Sequence, residues 1–297
     1  MSRKDFTVLL LLAFAWGASF LFMRIASPEL GPVFTTELRV ALAAAALLLY
    51  AKITRKQLAL LRHWKPFLLL GALNAALPFT LICMAELELN ASLAAILNAT
   101  TPMFAALAAW GIKNERPGLS KTIGLIIGLA GVAVLVGWSP VPLTGTTLLS
   151  VLYSLGAALA YGFGGLYAAR AGRGLAPLTL AAGQQLGAAI VLLPLAVIFA
   201  PKQLPSAAAV YSVLGLSLIC TAVAYLLYFY LIQSVGAVKT VSVTFLVPVF
   251  GLMWGALFLN EPIYVNTLAG LVIILLGVLL INRRPRPAAA PGVEKQV

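Results

Sequence analysis

Charge is scarce in this chain. Charged residues make up 9% of its 297 residues, whereas 62% are hydrophobic. A soluble domain carries roughly 25% charge, so a water-soluble globule is excluded, and the mean hydropathy of +1.03 agrees. The single histidine, His63, rules out any site built on two histidines. The 2 cysteines, Cys83 and Cys220, lie inside apolar runs and supply neither a disulfide framework nor a metal motif. Paired aspartates and a Gly-x-Ser-x-Gly elbow are both missing, so the sequence does not read as an intramembrane enzyme. No cofactor is expected.

What the chain has instead is a succession of apolar runs. A window of about 19 residues finds ten: 6–25, 33–51, 66–85, 91–111, 121–138, 146–169, 178–199, 208–232, 237–258 and 265–282. The first run exceeds the roughly 7–15 residues of a signal-peptide core, so it reads as a retained helix. Connections are short and carry Pro, Gly, Asn or charge, as in Ser27 to Pro32 and Ser139 to Pro142. The expected fold class is an all-α polytopic membrane protein with ten transmembrane helices. Residues 283–297, rich in Pro, Ala and Arg, are expected to form a disordered tail.

The net charge of +12 could point to nucleic acid, but the positions of the cations exclude that. Among the 20 Lys and Arg, Lys202 lies on one side of the membrane, and Arg24 and Arg39 lie within or at the rim of spans. All the others fall on the opposite side. Positive residues favour the cytoplasm, so both termini are expected there, in a multi-pass protein of the cell (inner) membrane. The partners expected are the bilayer and a small-molecule substrate, and a monomer suffices.

The two halves repeat one another. At one constant spacing of 146 residues, Pro102 pairs with Pro248, Asn114-Glu115 with Asn260-Glu261, Gly124 with Gly270 and Gly131 with Gly277. Phe79 and Phe104 likewise match Tyr225 and Phe250. Each half holds five spans, an odd number, so the second enters the membrane inverted. Residues 1–138 and 139–282 are therefore read as two inverted five-helix repeats. This is a common plan of secondary transporters, with the substrate site near the midplane where the repeats meet.

The segment Ala91 to Val136, with Thr101-Pro102 midway and Asn114-Glu115 at its turn, resembles the repeat unit of EamA-type transporters in the drug/metabolite transporter superfamily. Val238 to Ile281 is a second copy, and Trp16-Gly17-Ala18-Ser19-Phe20 and Arg39 also match that family's pattern. The resemblance implies ten helices and export of small metabolites, with amino-acid exporters prominent among bacterial members. Alternatives are a drug or nucleoside-type exporter and, in another class, a channel. The second copy departs from the first: Gln185 stands at the mate position of Arg39.

Pro102 lies about 16 Å into its span, near the midplane, and Pro248 lies equally deep from the other side. Each removes a helix hydrogen bond, giving either a static kink or a hinge beside a cavity. Asn98 with Thr101, and Thr240 with Thr244, share helix faces next to those prolines and serve as helix glue or ligand contacts. Trp16 lies near mid-span, whereas tryptophans ordinarily prefer the interfaces. With Phe20, Phe79 and Tyr225 it suggests an aromatic wall or core packing. Arg39, about 10 Å deep, suits either an ion pair with Glu37 or Arg24's network, or a substrate carboxylate. The expected substrate-binding residues are thus Trp16, Phe20, Arg39, Phe79, Asn98, Thr101, Tyr225 and Thr244, with Pro102 and Pro248 as hinges. Glu115 and Glu261 are expected to cap the helices that follow them. Gly124 with Gly128, Gly183 with Gly187, and Gly251 with Gly255 read as helix-contact faces. No Asp, Glu or His lies mid-span, which favours passive facilitated flux over proton exchange.

Overall fold

The computed structural model describes residues 1–113, 119–137, 144–236, 240 and 242–282. The Ser139–Pro142 connection, the Asn114-Glu115 pair and the tail lie outside them. All regular structure among the described residues is helical. The spans are α1 (Arg3–Leu30), α2 (Pro32–Ile53), α3 (Leu61–Ala85), α4 (Ala91–Asn98, then Thr101–Lys113), α5 (Leu119–Gly137), α6 (Gly145–Ala171), α7 (Pro177–Ile198), α8 (Ala207–Val235), α9 (Val243–Phe258) and α10 (Val265–Asn282). Nine of them are long and apolar enough to cross a membrane. Helix α9 is described over 16 residues only, since 237–239 and 241 fall outside.

Local chemistry sets the ends. Ser2 and Asp5 form a reciprocal capping box at the start of α1, with the Asp5 amide donating to Ser2 Oγ over 3.1 Å and the Ser2 amide donating to Asp5 Oδ2 over 3.1 Å. Gly31, at φ +75°, turns the chain between α1 and Pro32, a conformation that side chains rarely adopt.

The halves interlock rather than pack as separate bodies. The most extensive contacts all join a first-half helix to a second-half helix: α5 with α10, α1 with α9, α2 with α7, α3 with α6 and α7, and α4 with α6 and α9. Exchanging each helix for its mate five places along maps this set onto itself or onto the contacts of α8 with α1 and α2, as a two-fold relation requires. Small residues permit the closest crossings. A Cβ on Gly124 would strike the Gly277 carbonyl, and one on Gly187 would overlap the Phe67 carbonyl. The glycine faces expected at 124/128 and 183/187 are therefore contact faces, since lipid provides no hydrophobic drive and close backbone packing must hold the helices.

Both ends of α1 are tied to α8. Ser234 Oγ donates to Asp5 Oδ1 over 2.6 Å at one end. At the other, the Ser206 amide and hydroxyl each donate to the Glu29 carboxylate over 2.7 Å. Arg24 Nη1 donates to the carbonyls of Glu86 and Leu87, which fastens α1 to the α3–α4 turn.

Irregular backbone occurs at matched places. A π-helical turn spans Ala72–Ala76 in α3 and another spans Gly215–Val223 in α8, overlapping at the repeat spacing. Such turns concentrate at functional positions. Hydropathy carries no trace of them, because one extra residue in a turn leaves an apolar run apolar.

The proline expectation needs correction. Helix α4 breaks at Ala99–Thr100, so Pro102 sits in the first turn of its second half, where a missing N–H costs nothing. Pro248 instead lies inside the uninterrupted helix α9, which begins after Ser242. The two prolines are not equivalent breaks.

Glu261 also differs from expectation. It caps α4 across the repeats and not the helix that follows it. Its carboxylate accepts from the Ala91 amide at 2.7 Å, the Ser92 amide at 3.0 Å and the Ser92 hydroxyl. Asn260 makes this possible by taking φ +52°, a left-handed conformation that asparagine tolerates. The Asn-Glu pair thus works as a unit: one residue reverses the chain, and the next reaches another helix N-terminus. Its mate at Glu115 lies outside the described residues.

Candidate functional site

A cavity of about 270 Å³ lies where the halves meet, walled by α1, α2, α3, α4, α6, α8 and α9. Every residue expected from sequence to bind substrate lines it: Trp16, Phe20, Arg39, Phe79, Asn98, Thr101, Tyr225 and Thr244. Pro248 lines it too, whereas Pro102 is not among the lining residues. The volume is slightly below the roughly 300–1,000 Å³ of ligand pockets, a size for metabolites.

Aromatic rings form much of the wall. Trp16 meets Tyr228 at 5.5 Å between ring centroids and Tyr225 at 6.4 Å, and Tyr225 meets Tyr228 at 6.4 Å edge to face. Across the cavity Phe79 meets Tyr161 at 6.2 Å. Edge-to-face contacts of this kind fix ring orientation and leave faces for an occupant. The sequence reading missed Tyr161, Tyr228 and Asn74. Asn74 is polar inside an apolar run, the same signal that marks Asn98, whereas Tyr161 and Tyr228 carry no such contrast with their surroundings.

Arg39 is the cavity's charge. Its Nε donates to Thr221 Oγ1 over 3.0 Å, its Nη1 approaches Met23 Sδ at 3.4 Å, and its guanidinium lies 3.5 Å from the Phe79 ring centroid. Thr221 Oγ1 donates onward to the Leu216 carbonyl within the π turn, over 2.8 Å, which aims its lone pairs at Arg39. The ion pair with Glu37, or with a network of Arg24, is not formed. Glu37 stands two residues away on α2, where side chains do not face one another, and Arg24 is engaged with backbone carbonyls.

The pseudo-symmetric place is filled differently. Gln185, the mate of Arg39, is fully buried with both amide atoms unpartnered. Its neighbour Gln184 instead bridges the π turn of α3 to α8. It accepts from Asn74 Nδ2 at 2.8 Å and donates to Tyr225 OH over 2.7 Å. Each π turn is thus held by a polar side chain of the other repeat, Thr221 by Arg39 and Asn74 by Gln184.

Glu86 lies just beyond α3, fully buried, with both carboxylate oxygens unpartnered. Burial holds its carboxyl well above the usual carboxylate range, against the pull of Arg24 and Arg39 and with a push from Glu261. Among the described residues no group of three His, Cys, Asp or Glu could hold a metal.

An interlocked ten-span helical bundle around one aromatic cavity defines the class: a multi-pass membrane transport protein. The model of the EamA-like transporter family matches residues 5–137 and 148–283, and the chain belongs to that family. Its members are transporters and not enzymes. The uncharacterized transporter YvbV of Bacillus subtilis is 28% identical over 99% of this chain and 97% of its own length. An uncharacterized transporter of Archaeoglobus fulgidus is 26% identical over 95% of this chain and 99% of its own. A solved crystal structure with 15% identity superposes with a TM-score of 0.67, covering 94% of this chain and 96% of that one, which shows the same fold.

Proposed function

We propose that this transporter exports amino acids, including aromatic and large apolar ones, by alternating access around the central cavity. The carrying observation is one cavity at the junction of the halves that combines ring faces, amide and hydroxyl groups, and a single buried guanidinium. Rings suit an apolar or aromatic side chain, and a planar fork of donors suits a carboxylate. The broken α4 and the paired π turns supply places where the bundle can bend. With α1 bound to α8 at both ends, those two helices move as one. The export direction is the one that the resemblance to EamA-type transporters implies, and the described residues of one chain form the cavity.

The test is counterflow of labelled amino acids in liposomes containing the purified protein, with and without a pH gradient. Saturable, counterflow-stimulated flux supports a carrier, and non-saturating flux points to a channel. Trp16→Ala is expected to slow large apolar substrates more than small ones. Equal loss for all, together with a lower melting temperature, makes Trp16 a packing residue.

A further inference from the structure

We infer that the cavity is selective for organic monoanions, bound through a carboxylate at Arg39, so that 2-hydroxy acids with apolar or aromatic bodies are preferred over the corresponding amino acids. The inference rests on the reading of this cavity as the substrate site.

A guanidinium has five N–H donors and stays charged throughout the working pH range. In Arg39, Nε–H is used by Thr221, and one Nη1–H meets only a thioether, a weak acceptor. One face lies on Phe79. The remaining donors have no acceptor among the described residues, and the side chain lines the cavity while being 4% exposed. A buried charge without a counter-ion is costly. Neither nearby carboxyl pairs with it: Glu37 lies two residues along α2, where side chains do not face one another, and both oxygens of Glu86 are buried without a partner. The anion must therefore come with the occupant.

The rest of the wall decides what else the occupant carries. Among the described lining residues Arg39 is the only charged one. An ammonium entering this space finds no carboxylate and loses its hydration for ring faces and neutral acceptors alone. A monoanion cancels the charge of Arg39, whereas a zwitterion leaves the site positive. Among the neutral acceptors of the lining residues, Asn98 Oδ1 is buried without a partner. A hydroxyl on the carbon next to the carboxylate satisfies such an acceptor without bringing a second charge.

The experiment uses the full chain in liposomes with four probes that share one ring: 3-phenyllactate, phenylalanine, phenylalaninamide and phenethylamine. Each competes against labelled phenyllactate and, separately, against labelled phenylalanine in counterflow. The expected result is half-saturation by phenyllactate at a concentration at least about tenfold below that for phenylalanine, a floor set by the uncompensated desolvation of one ammonium. The amide and the amine should not compete. Arg39→Lys, which keeps the charge but not the planar fork, should weaken phenyllactate by about tenfold or more and narrow its lead over phenylalanine. Should that variant fail to fold, the probe order in the native protein still decides. Phenylalanine binding as tightly as phenyllactate, or tighter, overturns the inference and leaves amino-acid export standing. Absence of saturable flux for both overturns the reading of the cavity as well.

Discussion

Glu261→Ala removes the contact by which the α9–α10 turn holds the N-terminus of α4. The native carboxylate accepts from two backbone amides, at 2.7 and 3.0 Å, and from the Ser92 hydroxyl. Hydrogen bonds to a charged group are worth about 1.5–3 kcal/mol, but Glu261 is half-exposed and water replaces part of what is lost. Asn90 still caps the helix through the Leu93 amide, at 2.8 Å, so α4 keeps one side-chain cap. Loss of a cap alone costs about 0.5–2 kcal/mol, and about 1–2 kcal/mol is the expected destabilisation. At roughly 2–4 °C per kcal/mol for a large chain, the apparent Tm in detergent should fall by about 2–8 °C. Glu261→Gln keeps an acceptor without the charge and should fall between the native protein and the alanine variant. The decisive measurement is the double-mutant cycle with Ser92→Ala. Residues in contact couple by about 0.5 kcal/mol or more. Strict additivity of the two substitutions, or a native Tm in Glu261→Ala, refutes the cross-repeat cap.

Gly187→Ala forces a methyl into the Phe67 carbonyl and should cost about 1–3 kcal/mol. Gly165→Ala, where a Cβ meets nothing within 4 Å, should leave Tm unchanged or higher; membrane levels and Tm of the pair check the α3–α7 crossing. Burial raises the pKa of Glu86 in the fold, so the native state keeps that proton to higher pH than the unfolded chain does, and its contribution to stability declines as pH rises above the ordinary carboxylate range. Glu86→Gln should therefore flatten the fall of Tm between roughly pH 5 and 8, and an unchanged slope would show that the carboxyl is hydrated. A cysteine at Lys202 should react with an impermeant thiol reagent in intact cells, while one at Lys56 should not. The reverse pattern would invert the proposed orientation.

Much of this protein is written in composition and periodicity. Apolar runs dictate spans because lipid leaves a backbone no partner except its own helix. Repetition of Pro, Asn-Glu and Gly at one spacing revealed the two halves, since each copy must solve the same packing problem. The lining residues could be read as well. Asn98, Thr101 and Thr244 are polar where the run around them is apolar, and Arg39 is charged where charge is costly, so each stands out against its surroundings.

Tertiary structure alone decided the rest. Which partners Arg39 meets depends on α1, α3 and α8 converging on α2, and no local pattern encodes that neither Glu37 nor Glu86 forms an ion pair with it. The helix that Glu261 caps was chosen by the interlocking of the halves, 170 residues away in the chain. The π turns, the unequal surroundings of Pro102 and Pro248, and the pairing of Asn74 with Gln184 arise the same way. In a bilayer the run of hydropathy specifies that a segment spans. The contacts between spans are made by single glycines, amides and carboxylates, whose partners are set by the shape of the whole bundle.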